Sequence, residues 1–166
     1  MPFRVWDTFV ADANNFGMAV LYAADNGVEV VQEAHASDGT VKALFRTHDG
    51  RAIESVLMRY RDGRRSVCLS SQSGCPLTCT FCATGAMKFG RNLTASEILD
   101  QALHFRRIED VDHVVFMGMG EPLANYRSVI DAVRRLTEPS PSGLGICPSR
   151  PTGRCCSGAL IFCPGI

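Results

Sequence analysis

The chain of 166 residues contains no apolar run long enough to cross a membrane as a helix. Its apolar stretch from Phe16 to Ala24 is short, and it follows Asp7 and Asp12 instead of the basic segment that opens a secretory leader. Nor does one sign of charge prevail, since 17 Lys and Arg face 17 Asp and Glu. Charged residues are only 20% of the chain and hydrophobic ones 46%, which excludes the disordered class. Without an export signal, the expected location is cytoplasmic and reducing. Clustered cysteines there are metal ligands or catalytic groups more often than disulfides. The length suits one ordinary domain with its own core.

The charge is balanced overall but unevenly spread. Residues 1–40 carry one basic and six acidic groups, a net −5, and the remainder carries sixteen basic and eleven acidic groups, a net +5. Arg59, Arg61, Arg64 and Arg65 lie shortly before the main cysteine group. They read either as a solvated loop or as phosphate contacts near a nucleic-acid site.

Periodicity is weak over residues 1–26, where Asn14-Asn15 and Asp25-Asn26-Gly27 have turn composition. From Val28 onward the pattern becomes short β-branched runs, Val28 to Val31, Val41 to Phe45 and Ile53 to Met58. Asp38-Gly39 and His48-Asp49-Gly50 separate them, which predicts an antiparallel meander. Arg61-Asp62-Gly63-Arg64 is a further turn, and Val67 to Ser70 is a strand entering the cysteine loop. Thr94-Ala95-Ser96-Glu97 is a capping box before a helix bearing Ile98, Leu99, Ala102, Leu103 and Ile108. His113 to Met117 reads as a strand, and Tyr126 to Leu136 as a helix with Val129, Ile130, Val133 and Leu136 on one face. Two strand–loop–helix units in succession imply parallel strands. From about Glu138 the chain turns rich in Pro, Ser, Gly and Arg, and it holds Cys147, Cys155, Cys156 and Cys163. Only Ala159 to Phe162 is convincingly apolar there.

Cys75, Cys79 and Cys82 are the main chemical signal. Cys79 and Cys82 are spaced to hold one metal centre, and Cys75 joins them if the loop wraps round it. Three thiolates are one short of a closed tetrahedral structural site, whereas an iron–sulfur cluster on three cysteines keeps one iron open. A three-cysteine zinc site with a distant fourth ligand, or plain loop cysteines, are the alternatives. The second signal is Gly118-Met119-Gly120-Glu121-Pro122 at the carboxyl end of an expected strand. Open α/β and barrel folds bind ligands at that edge, glycine permits close backbone approach, and a glutamate there can accept from an ammonium group. A tight turn before a helix explains the segment equally well.

The spacing Cys75-x3-Cys79-x2-Cys82 resembles the signature of radical S-adenosylmethionine (SAM) enzymes. Cys68 to Cys75, Phe81 to Gly85, Arg91-Asn92-Leu93 and Phe116 to Leu123 narrow the resemblance to the RlmN-type adenine-C2 methyltransferases of ribosomal and transfer RNA. It runs from about residue 28 to residue 146. The fold it implies is α/β, with an N-terminal antiparallel meander followed by the first two βα units of a radical SAM partial barrel. The expected divisions are an N-terminal region at 1–65, a partial core at 66–137 and an aberrant, irregular tail at 138–166.

The resemblance implies that Cys75, Cys79 and Cys82 ligate a 4Fe–4S cluster and that SAM chelates its fourth iron. Gly120 and Glu121 are then SAM contacts, with Glu121 near the amino group. Glu54 matches the family's proton acceptor, and Cys68 matches a cysteine that helps resolve an enzyme–RNA adduct. Without the resemblance, Glu54 is a solvent-facing strand residue and Cys68 a small buried hydrophobe. The partners it implies are rRNA, tRNA and an external electron donor, with neither membrane nor DNA. Adenine C2 is electron-poor, so the reaction calls for a cofactor-borne radical, and the base must leave its stack to reach it. A looped RNA read by shape and phosphate contacts is the expected substrate.

The chain also departs from that family, whose members are about twice as long, with an N-terminal helical domain and six strand–helix units. After Gly143-Leu144-Gly145-Ile146 the resemblance lapses, in the manner of a shifted reading frame or a misjoined gene end. The family's methyl-carrying cysteine is assigned to none of Cys155, Cys156 and Cys163. The resulting expectation is a methyltransferase by family whose isolated chain is inactive. The alternatives are an iron–sulfur-binding fragment or a C8-methylating relative.

Overall fold

The β-branched runs and their Asp-Gly turns set up four antiparallel strands: β1 (Val28–His35), β2 (Val41–Thr47), β3 (Ala52–Arg59) and β4 (Arg65–Cys68). The computed structural model describes residues 27–137. The expected turns before Gly27, the tail from residue 138, its four cysteines and the run Ala159 to Phe162 lie outside that span. Beyond β4 come two-residue strands β5 (Gln72–Ser73) and β6 (Arg91–Asn92), then helix α1 (Ala95–Ile108), β7 (His113–Val115) and helix α2 (Tyr126–Thr137). β7 pairs in parallel with β4, giving a mixed sheet in the order β1-β2-β3-β4-β7. The sheet is therefore mostly antiparallel, with one parallel pair. β3 and β4, which begins at Arg65, are neighbours within it. No described helix is long and apolar enough to cross a membrane.

Strict alternation in the middle strands decides which face is buried. Val41, Ala43, Phe45 and Thr47 point inward while Lys42 and Arg46 are exposed, and β3 buries Ile53, Ser55 and Leu57. These residues share one core with Ile98, Ala102 and Phe105 of α1 and Val129, Ala132 and Leu136 of α2. Phe45 meets Phe105 edge-on at a centroid separation of 6.3 Å. The edge strand β1 is mostly exposed and its pairing is interrupted between Val30 and Gln32, an irregularity that suits an unpaired edge.

The capping box at the start of α1 forms as its sequence predicts. Thr94 Oγ1 accepts from the Glu97 N–H, and the Glu97 carboxylate accepts from the Thr94 N–H at 2.9 Å. Glu97 is fully buried and takes a two-pronged bond from Arg91, at 2.7 and 2.8 Å. Burial pushes its carboxyl up, but Arg91 and the Thr94 amide reverse this, and the net direction is down. Arg91 also bonds Asp49 at 2.7 and 3.0 Å, so one guanidinium ties the β2–β3 turn to β6 and to the head of α1.

Asp100 behaves in the opposite way. Its carboxylate is 8% exposed and accepts from the Val28 N–H at 3.4 Å. Burial pushes its carboxyl up to about 6, while the Val28 amide and the Arg107 charge pull back only partly. Between the ordinary value of 3.8 and about 6, the folded chain holds a proton that the unfolded chain has lost. Stability therefore falls as pH rises across that window, and the contribution is fully present only below it. Asp100→Asn is expected to flatten this dependence and to raise stability at pH 7 by roughly 1–2 kcal/mol, with little change below pH 4, in denaturant titrations across that range.

Candidate metal and cofactor site

Both candidate loops leave the same edge of the sheet, where β4 and β7 end side by side. The parallel pairing runs on past the strands. The Leu69 N–H bonds Val115 O at 2.8 Å, the Gly118 N–H bonds Leu69 O at 3.1 Å, and the Ser71 and Gln72 N–H groups both bond Met119 O. The loop bearing the cysteines thus departs beside the loop bearing Gly118 to Glu121. Its neck is closed by the β5–β6 pairing, extended by the Gly90 N–H to Ser73 O at 2.7 Å and the Leu93 N–H to Ser71 O at 3.1 Å. Two-residue strands have no period to read, so this closure is invisible in the sequence pattern.

Within the loop, Cys75, Cys79 and Cys82 are free and half-buried. The Cys82 N–H bonds Cys79 O at 3.2 Å, and a 3-10 turn follows at Thr84–Ala86. A Cβ built on Gly85 would lie 2.7 Å from Cys79 O, so the turn packs directly on the backbone of the cysteine segment. The loop therefore curls back on itself between Cys79 and Gly85. Among the described residues, however, no three His, Cys, Asp or Glu side chains are gathered into a metal cage. Three free, half-buried thiols on a curled backbone fit an iron–sulfur cluster by donor chemistry, and final convergence is left to the metal itself.

The second loop depends on two close backbone approaches. A Cβ on Gly118 would sit 2.7 Å from Ser70 Oγ and 2.8 Å from Leu69 O. Gly120 has φ +95°, and a Cβ there would fall 2.4 Å from Gln72 Cβ. Glu121 follows, its N–H donating to Gln72 Oε1 at 2.8 Å. Its side chain turns back to cap the 3-10 helix Pro122–Asn125, Oε1 accepting from the Leu123 N–H at 3.0 Å. Oε2 makes no hydrogen bond among the described residues.

Glu54 and Cys68 lie on the sheet face opposite the helices. Cys68 pairs with Val56 on β3, and Glu54 stands two residues along that strand, so the two side chains share a face as diagonal neighbours. No described helix packs on that face. Glu54 is partly exposed and pairs with Lys42 Nζ at 2.7 Å. Burial pushes the Cys68 thiol up, and a hydrogen bond with the Met117 backbone offsets this only in part, which keeps it protonated at neutral pH.

The arginines before the cysteine loop occupy the other edge of the sheet. β4 runs from Arg65 toward Cys68, so the β3–β4 turn lies at the far end from both loops. Arg59 and Arg65 both bond Glu109, and Arg64 pairs with Asp62. The basic side chain actually built into the loop neck is Arg91.

Sequence reasoning missed four carboxamides. Gln101 of α1 accepts from the Ser70 N–H at 2.9 Å and from Ser55 Oγ, and it donates to Ser70 O and Glu97 O. Asn125 donates to Ser71 O and Leu93 O, both at 2.8 Å. Gln72 and Asn92 bridge the two loops. The available signal was Gln72 standing as the one long side chain among Ser70, Ser71, Ser73 and Gly74. Ser71 Oγ is buried with no partner among the described residues.

The sequence model of the Radical SAM superfamily matches residues 69–155, running past Ile146. The chain is 52% identical over 127 residues to a probable dual-specificity RNA methyltransferase RlmN of Salinispora tropica, covering 70% of this chain and 34% of that protein. It is 51% identical over 114 residues to the Corynebacterium glutamicum protein of the same name, covering 66% and 31%. A crystal structure of a radical SAM methyltransferase from Sphaerobacter thermophilus superposes with a TM-score of 0.64 at 44% identity, covering 70% of this chain and 35% of that one. The chain thus spans about a third of the length of the curated relatives it matches.

Gly120→Ala combines a left-handed backbone with a Cβ driven into Gln72. It is expected to lower stability by about 2–3 kcal/mol, read as a shift in the urea midpoint. Ala at the exposed, open Gly63 (φ +85°, with nothing within 4 Å of its Cβ) carries the backbone strain alone and is expected to cost about half as much.

Proposed function

The chain belongs to the radical SAM superfamily and is related to the RlmN-type RNA methyltransferases, and from that premise we propose that it carries the cluster- and SAM-binding segment of an adenine-C2 methyltransferase of rRNA and tRNA. The cofactors of the family are a 4Fe–4S cluster and SAM. The observation that carries the reading is the departure of the cysteine loop and the Gly118–Glu121 loop from adjacent ends of β4 and β7. On this reading residues 66–137 contribute the first two strand–helix units of a partial barrel, with the meander before them. The face bearing Glu54 and Cys68 turns toward its interior.

Cys75, Cys79 and Cys82 would hold the cluster as thiolates. When bound, the cluster and SAM supply one-electron reductive cleavage and the carbon radical that an electron-poor ring position demands. Gly118 and Gly120 let the loop backbone pack directly on Leu69, Ser70 and Gln72, which fixes where Glu121 stands relative to the cysteine loop. Glu121 accepts from the SAM ammonium through the carboxylate oxygen left over from its cap. Glu54, released from Lys42, takes a proton from the modified base. Cys68, on the same face as Glu54, is placed to resolve the enzyme–RNA adduct once its thiol has given up the proton that burial favours. The RNA presents its adenine unstacked, and an external donor supplies the electron.

The isolated chain of 166 residues is proposed to bind both cofactors without methylating RNA, because no described strand pairs with the outer edge of β7 and no described helix packs on the Glu54–Cys68 face. Anaerobic reconstitution is expected to load about four iron and four sulfide per chain, and Cys75→Ala, Cys79→Ala or Cys82→Ala each to abolish it. Zinc bound in place of iron overturns the cluster assignment. Formation of 2-methyladenosine in RNA by the isolated chain overturns its inactivity. If a longer chain makes 8-methyladenosine, the reaction is that of the C8-methylating relatives.

A further inference from the structure

Gln72 is fully buried and joins the two loops through a single side chain. Its Oε1 accepts from the Glu121 N–H at 2.8 Å, and its Nε2 donates to Asn92 Oδ1 at 2.7 Å. Asn92 in turn donates from Nδ2 to Ala124 O at 3.4 Å. The Gly120–Asn125 segment is therefore braced at both ends by a pair of amides rooted in the neck of the cysteine loop. Gly120, with φ +95°, packs so closely that a Cβ there would fall 2.4 Å from Gln72 Cβ and 2.8 Å from Gln72 N. The Gln72 backbone is itself fixed, its N–H bonding Met119 O at 3.1 Å.

We propose that Gln72 is a positioning residue: by gripping the Glu121 amide it fixes the Glu121 carboxylate relative to the cysteine loop, and so sets the affinity for the aminocarboxylate end of SAM. This rests on the reading of Glu121 as the ammonium acceptor. An amide is needed because two opposite demands meet at one side chain, an acceptor for Glu121 and a donor for Asn92. Gln supplies both while remaining neutral, which suits a site with no exposure.

Two substitutions separate positioning from plain structural support. Gln72→Met preserves length and removes both hydrogen bonds. Gln72→Glu retains the acceptor facing Glu121 but places an acid in a buried site, so for folding alone it is the worse of the two. The reconstituted 166-residue chain and its variants are compared by SAM binding in equilibrium dialysis, with iron content measured in the same samples. Amide hydrogen exchange over residues 118–124 is followed in the cluster-free chain.

Gln72→Met is expected to bind SAM about tenfold more weakly at unchanged iron content and to lose protection at the Glu121 amide, while Gln72→Glu recovers most of both. Asn92→Ala, at an exposed position, removes only the outer brace and is expected to weaken binding about threefold. The proposal is overturned if Gln72→Met leaves exchange at Glu121 unchanged, if it binds SAM like the parent, or if Gln72→Glu is the more damaged variant. If the parent itself loads iron but does not bind SAM, the assignment of Glu121 fails, and with it the link to SAM. The exchange data then still judge the clamp by themselves.

Discussion

The parallel pairing of β4 with β7 is the constraint from which the rest follows. Four residues of one strand and three of the other are little to hold, yet the ladder continues through Leu69, Ser71 and Gln72 against Val115, Gly118 and Met119. That continuation carries two loops of different chemistry away from one edge with their roots in register. A one-residue slip would exchange the faces of Val67 and Cys68, exposing a core residue and burying a thiol in its place. The hydrophobic alternation of β3 and β4 against α1 forbids it.

Polar groups at this edge cannot reach water, so amide side chains satisfy them. Gln101 serves both backbone groups of Ser70, Asn125 serves the carbonyls of Ser71 and Leu93, and Gln72 serves Glu121. Each contributes bonds that a backbone ladder would normally supply but that the diverging loops interrupt. Where one charge is fully buried, at Glu97, it receives a guanidinium and a capping amide together, the combination under which a buried carboxylate is tolerable.

The parts of this architecture with a repeating local cause were readable from the amino acids. β-Branched runs punctuated by Asp-Gly located the meander, and Thr94 with Glu97 announced α1 through a reciprocal hydrogen bond that needs no tertiary partner. Cys75, Cys79 and Cys82 stood out as candidate ligands because three thiols in so short a span have few other uses. What escaped depends on contacts distant in sequence. Gln72 and Glu121 are 49 residues apart, and neither β5 nor β6 has a pattern of its own. Proximity in the chain was also misleading for Arg59 and Arg65. A strand leads away from its own starting turn, and β4 carries the cysteine loop to the far edge of the sheet from them.

The contact between Gly120 and Gln72 restricts how this sequence can drift. A side chain at 120 meets the Cβ of residue 72, and every amino acid except glycine has that atom. Trimming position 72 to admit a larger neighbour therefore means giving up its side chain altogether, and the amide with it. The usual evolutionary route, in which one position grows as its partner shrinks, is closed here by geometry. Position 120 must stay glycine whatever side chain stands at 72.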